Sequence, residues 1–306
     1  MAQRNLKTYT ELHCETSSSM KKIIILGSAG MLGHMVYNYL KSLNKYNVVD
    51  ASFPVKLHEG SKLLDVTNKT ELEDFITSEK PDILVNCIGI LLRGSKDDPS
   101  NAIYLNAYLP HQISKILRVH GGKLIHISTD CVFSGEKGNY IETDFKDARD
   151  TYGLSKALGE VDNDHDLTMR TSIIGSELKE KGEGLFHWYM KQSGAINGFT
   201  KMFWGGVTTL ELAKAIDAAV DQNITGLIHI TNGQPISKFE MVSLFKKIWK
   251  TDHIQINPVE GKVADKSLNS NRNDFDFEVS AYEQMLYHMK IFMDENKNLY
   301  SKIYNY

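Results

Sequence analysis

Tyr152 and Lys156 are four residues apart in Tyr152-Gly-Leu-Ser-Lys156. On a helix this spacing puts both side chains on one face, one turn from each other. A phenol with a pKa of about 10 is a poor acid or base at neutral pH. A neighbouring ammonium favours the phenolate and lowers that pKa. Such a pair can pass a proton to or from a substrate oxygen. Solvated helices carry the same spacing by chance, so the chemistry needs partners elsewhere in the chain.

Gly27-Ser-Ala29-Gly30-Met31-Leu32-Gly33 is one such partner. It follows Ile23, Ile24, Ile25 and Leu26, an apolar run that reads as a buried parallel strand. It precedes Met31 to Leu43, which has helical spacing. A strand, a glycine-rich turn and a helix start make a phosphate cradle, because glycine lets backbone approach a diphosphate and the helix N-terminus faces its charge. The spacing is GxxGxxG. Asp50, seventeen residues after Gly33 and at the end of the apolar segment Tyr46 to Val49, is where an acid would hold an adenosine ribose. Lys56 is close enough to leave NADH and NADPH both open, with NADPH preferred. A second partner is Leu124-Ile-His-Ile-Ser128-Thr129-Asp130-Cys131, a strand that ends in hydroxyls and an acid. Polar groups at the carboxyl end of a central strand lie where doubly wound sheets bind ligands.

The elements that must position these groups alternate strand and helix from Lys21 to about Arg170. Asp82 to Cys87 and Lys123 to Ile127 read as further strands, with a helix over Pro110 to His120 between them. After Thr171 the pattern becomes irregular. Helices return at Thr209 to Val220, Lys238 to Lys250 and Ala281 to Glu295, and Leu227 to Ile230 reads as a strand. The expected fold is therefore α/β, a Rossmann-type doubly wound parallel sheet with a smaller C-terminal α/β substrate lobe. The expected division is a disordered leader over 1–19, a dinucleotide domain over 20–170 and a substrate lobe over 171–306, some of whose elements return to the main sheet. Met20 reads as an alternative start.

Together these motifs resemble the extended short-chain dehydrogenase/reductases, in the dTDP-4-dehydrorhamnose reductase branch. The residues that carry the resemblance are the glycine turn, Asn86-Cys87-Ile88-Gly89, Ser128-Thr-Asp130 with Val132-Phe133-Ser-Gly135, Tyr152-Gly-Leu-Ser-Lys156 and Arg170-Thr-Ser172. It spans about Lys21 to Tyr306. Phe203-Trp-Gly-Gly-Val-Thr-Thr-Leu-Glu-Leu-Ala is similar to the branch's substrate lobe, nearest to reductases of UDP-linked 2-acetamido-2,6-dideoxy-4-keto sugars. The resemblance implies NAD(P)H-dependent reduction of a C4 ketone on a 4-keto-6-deoxy sugar nucleotide, on the way to an L-sugar such as UDP-N-acetyl-L-rhamnosamine. It implies that Thr129 hydrogen-bonds the reacting carbonyl and Tyr152 gives O4 its proton. Lys156 would hold the nicotinamide ribose, Asp130 would contact the sugar, and Asp65-Val66 would lie along the adenine.

Three departures from the branch weigh against an ordinary dTDP-rhamnose substrate. Cys131 replaces its tyrosine, Ala148-Arg-Asp lacks its proline before Tyr152, and Ile-Ile-Gly follows Arg170-Thr-Ser172. Cys131 occupies the place of a catalytic cysteine in GDP-fucose synthases and plant-type rhamnose epimerase/reductases. There the C–H beside the ketone is acidified, a thiolate removes the proton, and a second acid returns it on the other face. This implies C3 epimerisation before reduction. The opposing acid is expected in the helix Gly184 to Lys191, with His187 first because its ordinary pKa is near neutral. Trp204 is the aromatic expected to stack on sugar or base.

The 306 residues, 42% hydrophobic and 24% charged, have an ordinary globular profile. A net charge of −3 without a basic block speaks against nucleic acid and anionic membranes. Cys14, Cys87 and Cys131 are an odd set without ligand spacing, so neither a disulfide framework nor a zinc site is expected, and a reducing cytoplasm is. Glycines and polar residues interrupt the run from Ile23 to Leu40, against a membrane span. A homodimer is an expected assembly. The competing readings are plain dTDP-4-dehydrorhamnose reduction and an NADP-binding regulator without turnover. A 4,6-dehydratase is disfavoured, because Asp130-Cys131 lacks the glutamate that those enzymes place after their aspartate.

Overall fold

The computed structural model describes residues 20–304; the expected leader over 1–19 lies outside the described residues. Seven parallel strands form the central sheet: β1 (Lys22–Leu26), β2 (Asn47–Ser52), β3 (Lys62–Leu63), β4 (Ile83–Asn86), β5 (Lys123–Ser128), β6 (Leu167–Arg170) and β7 (Gly226–His229). Their order is β7-β6-β5-β4-β1-β2-β3, so the chain reverses direction across the sheet between β1 and β4. Such a reversal leaves a crevice at the carboxyl ends of the two strands.

The sheet forms where the sequence is apolar on both faces. Ile23 and Ile25 point into one core with the helices Gly33–Ser42 and Thr209–Asp221. Ile24 and Leu26 point into the other with Lys69–Glu79 and Leu109–Val119. This alternation is the period-two geometry of a strand, here buried on both sides. The strand read at Leu227 to Ile230 forms as β7 and pairs with β6 in the main sheet, although most of its neighbours in sequence lie outside that sheet.

The remaining C-terminal strands form small separate sheets. Met202–Trp204 lies between Ile236–Ser237 and Ala264–Asp265 in a three-stranded sheet. Ile254–Val259 runs parallel to Gly194–Phe199. Ser237 starts the helix Lys238–Trp249 with a reciprocal capping box to Glu240, worth about 1 kcal/mol. Trp204, expected at the ligand, is a core residue, 8% exposed and packed on Tyr282. Its strand alternates, and Trp204 is on the inner face while Phe203 faces out. Among the described residues no helix is long and apolar enough to cross a membrane.

Candidate active site

A cleft of about 380 Å³ opens at the crevice, a size typical of small-molecule sites. One wall is the turn Ala29 to Leu32 with Cys87, Ile88 and Gly89. The floor is Ile127 to Cys131 with Tyr152 and Lys156. Glu177, Leu178, Lys179, Glu183 and Gly184 form the opposite rim.

The turn is shaped by backbone contacts that exclude side chains. Gly27 has φ +79°, and Gly30 N–H donates to its carbonyl at 3.0 Å. A Cβ on Gly33 would be 2.1 Å from the Gly27 carbonyl oxygen. Only glycine lets the helix Gly33–Ser42 begin this close to the turn. The outcome is exposed backbone at a helix N-terminus, which fits a dinucleotide diphosphate.

Asp50 serves the turn from below and does not stand at the end of its strand. β2 continues to Ser52, and Asp50 is 3% exposed. Its carboxylate accepts from Ser28 Oγ at 2.6 Å and lies 3.1 Å from His58 Nε2. The expected free ribose ligand is thus a brace between the turn and His58. Asp65 accepts from the Thr67 backbone N–H and hydroxyl, and Val66 is buried with its carbonyl accepting from Tyr104. Neither lines the cleft.

Tyr152 and Lys156 lie on the helix Thr151–Leu158, which Asp150 caps by accepting from Gly153 N–H at 2.9 Å. Two glycines seat this helix. A Cβ on Gly153 would be 2.2 Å from the Cys131 carbonyl oxygen, and one on Gly159 would be 1.8 Å from that of Asn106. Asn106 is buried in a π-helical stretch, Ile103–Tyr108, a winding frequent at functional sites. Its amide accepts from Ile90 N–H at 2.8 Å and donates to Ile90 O at 2.9 Å and Ser155 Oγ at 3.1 Å. The loop after β4 is thereby tied to the helix bearing the tyrosine.

The electrostatics differ from the expected lysine-lowered phenol. Burial pushes the Tyr152 phenol above its usual range, Cys131 and Asp130 add to this, and the hydrogen bond with Thr129 opposes it. Lys156 turns its ammonium end away, donating to Ile127 O at 2.6 Å with His126 Nε2 at 3.3 Å. Burial lowers its pKa to about 8, against the pull of Glu160 and Cys87. At neutral pH the phenol therefore holds its proton and can donate it. Burial raises the Asp130 carboxyl, with Lys266 and the Thr129 hydrogen bond opposing. Burial and Asp130 push the Cys131 thiol up to about 12, so it rests as a thiol. Cys87 is likewise pushed up to about 12 by burial.

The structure brings Thr129, Asp130, Cys131, Tyr152 and Lys156 together with Ala29 to Leu32 and Cys87 to Gly89. It does not bring His187 to them. The expected opposing acid is 4% exposed, with Nδ1 3.0 Å from the Tyr304 hydroxyl and Nε2 3.1 Å from Glu180 O. The short helix Leu185–Met190 turns it inward toward the C-terminal segment. Sequence reasoning missed the supports: Asn106, His126 and Glu160. Glu160 accepts from Arg170 Nε at 2.7 Å and Nη2 at 2.6 Å and from Ser128 Oγ at 2.6 Å, locking the end of β5. Its signal was an acid facing Arg170 across a buried strand end, which no sequence periodicity exposes.

A family model described as RmlD substrate binding domain matches residues 20–274. The dTDP-4-dehydrorhamnose reductase of Aggregatibacter actinomycetemcomitans is 31% identical over 143 residues, 46% of this chain and 46% of that one, so this match spans about half of either protein. The crystal structure of a hypothetical dTDP-4-dehydrorhamnose reductase from Sulfolobus tokodaii superposes with a TM-score of 0.72 at 29% identity, covering 85% of this chain and 96% of that one. That of a dTDP-4-dehydrorhamnose reductase from Bacillus anthracis in complex with NADP gives 0.77 at 21% identity, covering 90% and 100%.

Proposed function

We propose a function for this chain from one premise: it belongs to the RmlD substrate binding domain family. The protein is an NADPH-dependent reductase of the C4 ketone of a nucleotide-linked 4-keto-6-deoxy sugar. The observation that carries this reading is the partly exposed phenol of Tyr152, lining one cleft with Thr129 and one helical turn from Lys156, opposite the glycine turn. The relatives' names point to the same chemistry.

Gly27, Ala29, Gly30, Met31, Leu32 and Gly33 would hold the cofactor diphosphate, with Cys87 to Gly89 along its length and Lys156 at the nicotinamide ribose. When bound, the reduced nicotinamide supplies a hydride. The chain's own work is proton transfer and orientation. Thr129 orients the substrate carbonyl by hydrogen bonding. Tyr152 releases its proton to the ketone oxygen as negative charge grows there, which overcomes the phenol's raised affinity for that proton. Lys156, whose pKa of about 8 is close to neutral, supplies a cation near the phenolate that remains. Asp130 lines the sugar end. A non-catalytic dinucleotide-binding regulator has no use for a phenol and hydroxyl poised together at an open cleft.

The finer substrate reading is a UDP-linked N-acetyl amino sugar, supported by Cys131 and the segments around Tyr152 and Arg170 that depart from the dTDP-rhamnose pattern. A second activity, C3 epimerisation, is favoured by one observation: the Cys131 thiol lines the cleft beside Tyr152. Turnover in heavy water decides this, since epimerisation incorporates deuterium at C3 and plain reduction does not. The test of the main reading is NADPH oxidation with a panel of UDP- and dTDP-linked 4-keto sugars and NMR analysis of the product. NADPH binding without oxidation of any panel member would favour the regulator.

A further inference from the structure

His126 is an imidazole between Ile125 and Ile127 in the central strand β5, wholly buried. The reaction proposed above gives it no task, yet it touches the amine of Lys156. It pairs in register with Asn86 on β4. Asn86 Nδ2 lies 3.2 Å from His126 Nδ1, and Lys156 Nζ lies 3.3 Å from His126 Nε2. Both Asn86 and His126 are 0% exposed.

The orientation of Asn86 is fixed by a backbone group that can only donate. Ile88 N–H is 3.1 Å from Asn86 Oδ1, so the amide must present its oxygen there and its NH₂ to the imidazole. His126 Nδ1 must then accept. A neutral imidazole carries one proton, which is left on Nε2. That N–H points at Lys156 Nζ. A neutral amine can accept it; an ammonium would oppose donor to donor.

We propose that Asn86 and His126 form a buried pair whose fixed tautomer disfavours the ammonium form of Lys156, making His126 a positioning residue for the lysine's proton. The inference rests on the reductase reading for its consequence, though not for its geometry. The other groups facing Lys156 are Glu160 and Cys87, and those facing His126 are Lys156 and His111. Glu160 does not offset the effect by contact, because Arg170, Lys146 and Ser128 occupy its carboxylate. Burial and the nearby Lys156 charge keep the imidazole itself neutral. With this pair in place the lysine gives up a proton more readily.

The test is imidazole ¹⁵N NMR on full-length protein labelled at histidine, with the His126 signal identified by its loss in His126→Gln. The expected result is a neutral ring protonated at Nε2. In Asn86→Asp both side-chain oxygens accept, so the proton should move to Nδ1. Wild-type protein with the proton on Nδ1, or a charged ring at neutral pH, overturns the proposal, and so does an unchanged tautomer in Asn86→Asp. Should Asn86→Asp fail to fold, the wild-type spectrum decides together with the pH profile of kcat in His126→Gln. There the glutamine oxygen can turn to the ammonium, and the limb near pH 8 set by Lys156 should move alkaline by about one pH unit. An unmoved limb contradicts the proposal. The NMR arm needs no turnover, so a protein that reduces no sugar nucleotide would refute the reductase reading while leaving the pair to stand or fall on its tautomer.

Discussion

Gly33→Ala tests the turn as a cofactor cradle. The new Cβ would lie 2.1 Å from the Gly27 carbonyl oxygen, 2.7 Å from its carbon and 2.8 Å from Ser28 Cα. All three are backbone atoms, so no side chain can swing aside. Real Cβ atoms essentially never come within 3.0 Å of such neighbours; moving from 2.1 to 3.0 Å requires the turn and helix to part by roughly 0.9 Å. Overpacking of this kind costs about 1–3 kcal/mol of stability. Losing one charge-assisted hydrogen bond from the turn to the diphosphate costs about 1.5–3 kcal/mol, roughly 10- to 10²-fold in NADPH affinity. The assay is fluorescence titration of NADPH into folded variants, with urea unfolding in parallel. If Gly33→Ala binds NADPH as tightly as the wild type, the diphosphate does not sit on this turn and the argument from close backbone approach fails.

Three further outcomes follow from the same geometry. Arg170→Met leaves the Glu160 carboxylate buried without its bidentate partner and should cost about 3–5 kcal/mol in urea unfolding; a loss under 1 kcal/mol would mean that Lys146 alone neutralises the acid. Burial holds His34 and His229 at a pKa of about 4, below the ordinary 6.5. His126 is held lower still, so the unfolded chain binds more protons below 6.5; stability should be full above about pH 6.5 and fall as pH drops toward 4, with a slope approaching ~4.1 kcal/mol per pH unit for the three histidines. Stability unchanged between pH 6.5 and 4.5 would contradict their burial as neutral rings. Trp204→Ala should cost about 3–5 kcal/mol of stability and leave NADPH affinity unchanged; a selective loss of substrate affinity would restore the stacking role that its packing on Tyr282 denies.

The central sheet was legible because β1, β4 and β5 are nearly unbroken apolar runs, and runs of that length between turn residues have few other fates. The glycine turn and the Tyr152–Lys156 pair were legible because their function depends on local spacing. Residues whose role depends on what crosses over them were not. Asp50 looked like a strand end, yet β2 continues through Ala51, paired with Leu26 of β1, and Ser52, paired with Leu63 of β3. The phase of the short helix Leu185–Met190 cannot be read from six residues, so His187 was expected in the cleft and turned out to face Tyr304. His126 did leave a trace in the sequence, as the one ionisable residue inside a buried strand between Leu124 and Ser128. What it does depends on Asn86 and Lys156, brought to it from 40 and 30 residues away.

The central claim is that Tyr152 protonates a ketone oxygen while its carbon receives hydride from the dinucleotide. Its most direct test is turnover of a 4-keto-6-deoxy sugar nucleotide with NADPH carrying deuterium on the transferred face, with the product read by NMR, in wild type and in Tyr152→Phe. The account predicts deuterium at C4 of the sugar and a rate lower by roughly 10²–10⁴-fold without the phenol. A sugar free of label, or a Tyr152→Phe rate near that of the wild type, would contradict it.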